Sequence, residues 1–148
     1  MARKKVPYTQ GEFTPTNPDK YVGTYPIMAR SSWEFTVMRM ADKHPSIIQW
    51  ASEPVRIPYY NPIKRRQSVY IPDFLFIYED RQGKRHAELI EVKPAHQSKL
   101  NENADLYTRA QVAVNAFKWD QARKWCDRNG LRFRVITQQD IFQNPKKR

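Results

Sequence analysis

Residues 71–94 read IPDFLFIYEDRQGKRHAELIEVKP. An apolar run, Val69–Tyr78, is followed by a charged stretch, Glu79–Lys84, and then by His86–Lys93. Gly83 in the charged stretch is free to take a positive φ, which suits a turn. The pattern predicts two strands joined as a hairpin. Side chains along a strand have a period of two, so Leu89, Glu91 and Lys93 share one face and Ile90 and Val92 the other. In such a hairpin Asp73 lies beside Glu91, close enough for the two carboxylates to share a cation. Close carboxylates repel, and a divalent cation or a proton relieves them. Mg2+ takes oxygen ligands and keeps several waters, so one or two carboxylates suffice. Such an ion activates bound water and stabilises charge on a phosphate. Lys93, on the Glu91 face, can orient or deprotonate that water or stabilise the charge.

The same residues also admit a plain structural reading, with Asp73 opening a turn and Glu91 and Lys93 forming a solvated pair. Against it, Pro72-Asp73 sits inside an apolar run, and Glu91-x-Lys93 ends an apolar strand closed by Pro94. Pro-Asp followed by Glu-x-Lys resembles the PD-(D/E)xK nucleases, a family that places a further acidic residue on an upstream helix. Glu34 stands where that resemblance asks for one.

The chain has 148 residues, which suits one domain with a modest core. Hydrophobic residues are 40 % and aromatics 13 %, so the chain is globular rather than disordered. The formal charge is +11, from 26 Lys and Arg against 15 Asp and Glu, and a polyanion is the expected partner. No apolar run approaches the roughly 20 residues that span a bilayer, and no signal peptide is legible, so no membrane is expected. The single cysteine, Cys126, excludes an internal disulfide, gives no metal cluster and reads as a packing residue.

Three segments are expected: an extended arm over 1–29, a nuclease-like domain over 30–142 and a basic tail over 143–148. Prolines at 7, 15, 18 and 26 keep the arm from being helical. Its aromatics, Tyr8, Phe13, Tyr21 and Tyr25, suggest that it packs on its own domain, a partner or nucleic acid. The spacing predicts a helix over 31–43, capped by Ser31 or Ser32, with Trp33, Val37, Met40 and Ala41 as its apolar stripe. Val55–Tyr60 reads as the first strand and 61–68 as a basic hairpin loop. A helix over 102–129 ends at Asn129-Gly130. Leu106, Ala110, Ala113 and Phe117 form its expected buried stripe. Gln111 on an adjacent stripe reaches the active strand, and Lys118, Arg123, Lys124 and Arg128 make a basic outer face. Leu131–Thr137 is the last strand, followed by a short helix ending near Phe142. Lys64, Arg65, Arg66, Lys99 and Arg109 are the expected DNA contacts.

The order is helix, strand, strand, strand, helix, strand. By the resemblance, this is the αβββαβ core of the restriction-endonuclease-like α/β fold, a mixed central sheet flanked by helices. Further segments sharpen the resemblance: Arg30-Ser31-Ser32-Trp33-Glu34, Ile48-Gln49-Trp50-Ala51-Ser52-Glu53, Ile57-Pro58-Tyr59, Tyr70–Phe74 and Glu88–Pro94. They are similar to the head completion nucleases of T-even-like tailed phages. That similarity implies Glu34, Asp73, Glu91 and Lys93 as the catalytic set. It implies Mg2+ or Mn2+ held by Asp73, Glu91 and the Val92 carbonyl, with Glu34 binding through water or holding a second ion. Glu53 matches a family position without a clear role, or pairs with an arginine. The implied activity is hydrolysis of double-stranded DNA late in capsid assembly. The implied setting is the host cytoplasm, at the portal, neck or head, with a place in the virion head–neck region as a further expectation. With about five phosphate contacts, log affinity falls against log salt with a slope of about −4.5. Three other readings share these residues: an end-cleaving transposon endonuclease, a junction or repair nuclease, and a catalytically idle architectural protein of the phage neck or head.

Overall fold

The computed structural model describes residues 11–93 and 105–137. Their order is β1 (Gly11–Glu12), β2 (Met28–Ala29), α1 (Ser32–Lys43), β3 (Ile47–Ser52), β4 (Ile57–Asn61), β5 (Arg66–Tyr70), β6 (Phe74–Glu79), β7 (Arg85–Lys93), α2 (Leu106–Asn129) and β8 (Arg132–Thr137). The central sheet runs β3-β6-β7-β8, while β1–β2 and β4–β5 form separate two-stranded ladders. The pairs β3–β6 and β6–β7 are antiparallel, and β7–β8 is parallel. A parallel pair needs a long crossover, and α2 lies within it.

The helix–strand order matches the expected αβββαβ core, but its first strand differs. That strand is Ile47–Ser52, not 55–60. Trp50 in its middle is fully buried and anchors it to the core. The residues read as the first strand form β4, which pairs only with β5. Pro54 and Pro58 lack ladder donors, which confines such a segment to an edge. The expected single strand over 69–78 is also divided. Pro72 cannot donate to a ladder, and the chain leaves β5 at Tyr70 and enters the central sheet at Phe74.

The α1 side of the sheet carries the larger apolar core, built on Val37, Met38, Trp50, Phe74 and Ile90. Ser31 caps α1 by accepting the Glu34 N–H at 3.2 Å. Residues 11–29 pack into this core through Phe13, Tyr21 and Ile27. The Phe13 and Tyr21 rings meet Trp50 edge-on, with centroids 5.8 and 4.8 Å away. Buried Asp42 fastens the segment: its two oxygens accept the Thr16 and Asn17 N–H groups, each at 2.9 Å. His44 is the C-cap of α1, and its Nδ1 accepts the Ser46 N–H.

On the other side, α2 packs over Ile57, Tyr59, Tyr70 and Leu89. Asp105 caps its start by accepting the Thr108 N–H at 2.8 Å. Gly130 ends it in the left-handed region at φ 74°, where a residue without Cβ is unstrained. The buried residues are Val114, Asn115, Ala122 and Cys126. The stripe expected to be buried points outward instead, with Leu106 83 % and Phe117 45 % exposed. Lys118, expected on the outer face, is turned inward. In the first half of α2 the apolar stripe faces outward, while Thr108, Gln111 and Asn115, which share the opposite side, are half-buried or buried, so the apolar pattern of that half does not choose the inward face. Trp119, Ala122 and Cys126 in the second half choose it, and the helix carries that choice back through Asn115 and Lys118.

Candidate active site

Two strand ends and a proline break position the site. The β6–β7 ladder pairs Phe74 with Ile90 and ends there. Continued by one residue, the same register sets Asp73 opposite Glu91. The Asp73 carboxylate (Oδ2) accepts the Val92 N–H at 2.8 Å, which ties it to the backbone between Glu91 and Lys93. The Asp73 carbonyl accepts the Glu53 N–H at 2.9 Å. Glu53 takes φ 48° to make that contact, a conformation that costs a non-glycine residue about 1 kcal/mol or more.

Strand alternation on β7 is as expected. Leu89 packs with the α2-side core and Ile90 with the α1-side core. Glu91, buried on the Leu89 side, has both oxygens engaged. Oε1 accepts the Tyr70 hydroxyl at 2.5 Å, and Oε2 lies 3.3 Å from the Lys93 ammonium. Glu34, in the first turn of α1, accepts the Arg30 N–H at 2.9 Å. Arg30 in turn pairs with Glu53 at 3.1 Å, which answers how that second glutamate is held.

The carboxylates are electrostatically linked. Burial first, and then the Glu91 charge, raise the Asp73 carboxyl well above its ordinary range, with Glu34 adding to the effect. The Val92 N–H and Lys93 act in the opposite direction. Burial also raises Glu34, with Arg30 opposing and the charges of Glu53 and Glu91 reinforcing. The structure therefore brings Asp73, Glu91, Lys93 and Glu34 into one electrostatic neighbourhood. It is rich in oxygen donors, which fits a hard divalent cation. Among the described residues, no three Asp, Glu, His or Cys side chains converge as a ready-made cage. A pair of carboxylates with a backbone carbonyl matches an ion that retains most of its waters.

The basic turn expected to contact DNA lies apart from this group. Lys64, Arg65 and Arg66 are exposed at the turn of the β4–β5 hairpin. Tyr70 is paired at the hairpin's other end, four residues from Arg66, so the turn is about 13 Å along the strands from the level of Tyr70. Asn61 shapes that turn by accepting the Ile63 and Lys64 N–H groups at 2.9 and 3.0 Å. Arg109 is exposed near the start of α2, and Gln111 is half-buried two residues on. Lys99, His96 and the helix expected after Thr137 lie outside the described residues. Burial pushes the Cys126 thiol up to about 11, the reverse of what a nucleophile needs.

Two residues escaped the sequence reading. Tyr70 holds Glu91, and its signal was its place just before the Pro72 break. Lys118 reaches the site from α2. Its ammonium lies 6.0 and 5.6 Å from the centroids of the Tyr59 and Tyr70 rings. Burial, and then the like charge of Lys93, lower its pKa, while Glu91 and Asp73 oppose that. Nearby on the helix, the buried Asn115 has a carboxamide oxygen without a partner.

The family described as TnsA-like endonuclease N terminal matches residues 44–138. The chain belongs to this family. Its mixed sheet and flanking helices are those of the restriction-endonuclease-like fold. The match includes Asp73, Glu91 and Lys93 but begins after Glu34. The chain is also 29 % identical over 140 residues to the head completion nuclease of Enterobacteria phage T4. That alignment covers 88 % of this chain and 92 % of the relative. No helix among the described residues is long and apolar enough to cross a membrane.

Proposed function

We propose that the protein is a divalent-metal-dependent DNA endonuclease that acts in phage head completion. The observation that carries the reading is the convergence of Asp73, Glu91 and Lys93 at one end of the sheet, with both Glu91 oxygens engaged and the Asp73 carboxyl held high by burial and the Glu91 charge. Asp73, Glu91 and the Val92 carbonyl would hold Mg2+ or Mn2+. Glu34 would take part through a bound water or at a second ion. When bound, the ion supplies charge neutralisation at the phosphate and a more acidic water.

The chain's own residues do the rest. Tyr70 fixes the Glu91 carboxylate by donating to Oε1. The Val92 N–H fixes Asp73. Lys93 places a positive charge beside them, where it orients the attacking water and offsets the charge that grows on phosphorus. Water oxygen bonds to phosphorus in line, the P–O3′ bond breaks, and the departing oxygen takes a proton. The products are a 5′-phosphate and a 3′-hydroxyl.

The setting rests on the relative matched along most of both chains, whose name is head completion nuclease. The substrate would be packaged double-stranded DNA, reached at the portal, neck or head of a particle assembling in the host cytoplasm. A net charge of +11 and the exposed basic turn at Lys64–Arg66 support backbone binding. A transposon-type endonuclease is the alternative that the family's description favours.

The test is cleavage of linear and supercoiled DNA in Mg2+, Mn2+ or EDTA, with wild type beside Asp73→Ala and Lys93→Ala. Metal-dependent cutting that both variants lose while still binding DNA is the expected result. Binding without cutting under any metal would overturn the enzymatic reading in favour of an architectural role. Complementation in phage assembly then distinguishes head completion from the transposon reading.

A further inference from the structure

Lys118 is unlike the other basic residues of α2. Arg123, Lys124 and Arg128 are exposed, and Lys124 pairs with Asp120 at 3.2 Å, a common arrangement for solvated charge. Lys118 is half-buried, and its ammonium rests over two aromatic rings. Glu91, a buried carboxylate on its side of the sheet, is already engaged by Tyr70 and Lys93, and Asp73 by the Val92 N–H. A desolvated ammonium close to a second ammonium is costly, and a lysine kept only for stability would sit on a carboxylate or reach solvent. The ring faces offset part of that cost and also aim the group.

The aim is informative. Tyr59 and Tyr70 are on the paired strands β4 and β5, so the shelf under Lys118 is rigid. Tyr70 is also the donor that fixes Glu91. The same side chain thus touches the carboxylate of the candidate site and the lysine above it. Asp73, Glu91 and Lys93 all lie within electrostatic reach of the Lys118 ammonium. An anion held there would be next to the bond cut at Asp73 and Glu91.

We propose that Lys118, seated on Tyr59 and Tyr70, is a binding subsite for a DNA backbone phosphate adjacent to the scissile one. The inference rests on the nuclease reading, and it adds a substrate contact from α2 that positions the strand. The ammonium, which makes no direct ion pair among the described residues, would gain one with a phosphate oxygen in the complex.

The test is an equilibrium cycle read by anisotropy, with Ca2+ in place of Mg2+ so that cutting is not required. Wild type, Lys118→Met and Lys118→Arg are titrated with a short duplex over a range of salt. The same is done with duplexes carrying one methylphosphonate, a neutral linkage, at successive positions. Lys118→Met is expected to flatten the slope of log affinity against log salt by about 0.9, one phosphate contact. One methylphosphonate position is expected to weaken wild type several-fold and to have no further effect on Lys118→Met. Lys118→Arg is expected to retain the wild-type pattern. Losses that multiply at every position, or an unchanged salt slope, would overturn the subsite, and would mark Lys118 as structural if melting temperature fell in parallel. Cutting by wild type with a failed cycle removes only the subsite. A positive cycle without cutting retains the subsite and removes the enzymatic reading. Absence of wild-type DNA binding removes both.

Discussion

The two helices treat their apolar residues in opposite ways. In α1, Val37, Met38 and Ala41 are buried against Trp50 and Phe74, and the one polar side chain buried with them, Asp42, accepts the Thr16 and Asn17 N–H groups. In α2, Leu106, Tyr107 and Phe117 are exposed, while Asn115 is buried and Lys118 is half-buried. On the α1 side aromatic rings pack around Trp50, while on the α2 side Tyr70 and Lys93 engage Glu91 and Lys118 sits over Tyr59 and Tyr70. The lesson is that a helix beside a site is oriented by what the site requires as well as by what can be hidden. Stability is concentrated on the α1 side, which frees the α2 side to carry charge that folding alone would exclude.

The sharpest way to break this contrast is at the site. Asp73→Ala and Lys93→Ala are each expected to reduce cleavage by about 10²- to 10³-fold or more, with no matching loss of melting temperature. Parallel loss of folding would show that the α2 side is also a stability centre. On the α1 side the expectation is the reverse. Trp50→Ala is expected to cost about 3–5 kcal/mol in denaturant unfolding, because it empties the most buried ring of the core.

Charge at Asp73 sharpens the contrast further. Burial and Glu91 raise its carboxyl above the ordinary range, so the folded protein binds that proton more tightly than the unfolded chain. Stability contributed there is present at low pH and is lost as pH rises from the ordinary carboxylate range through the raised one. Asp73→Asn removes the titration. Its melting temperature is expected to exceed that of wild type increasingly as pH rises, and added Mg2+ should narrow the gap by stabilising wild type alone. A gap independent of pH would contradict the shift. Ser31→Ala, which removes the α1 cap, is expected to cost about 1 kcal/mol in the same unfolding assay. The smallest effect belongs to α2: Leu106→Ala should change stability by less than about 0.5 kcal/mol, against about 2–5 for Met38→Ala. Similar losses at both would mean that the outward stripe of α2 is covered in solution.

Much of the site was legible because its signals are local. A period of two on β7 put Glu91 and Lys93 on one face, and a turn with Gly83 made β6 and β7 a hairpin. The hairpin then set Asp73 opposite Glu91. The Ser31 cap and the stripe of Trp33, Val37, Met40 and Ala41 defined α1, with Val37 and Ala41 of that stripe fully buried, and Asn129-Gly130 ended α2. Tertiary structure decided the rest. Whether Ile47–Ser52 or Ile57–Asn61 entered the central sheet depended on which could bury Trp50 against the arm and α1. No short-range pattern records that choice. Pro72 marked a break, but only packing sent Tyr70 to one sheet and Phe74 to another. The face of α2 was set by Trp119, Ala122 and Cys126 together with the strands beneath them, against the apolar stripe of its first half, which lies outward. Local periodicity specifies an element and its two faces. Which face turns inward is a property of the neighbours, and that is why Lys118 and Tyr70 emerged from the fold while Asp73, Glu91 and Lys93 were already present in the sequence.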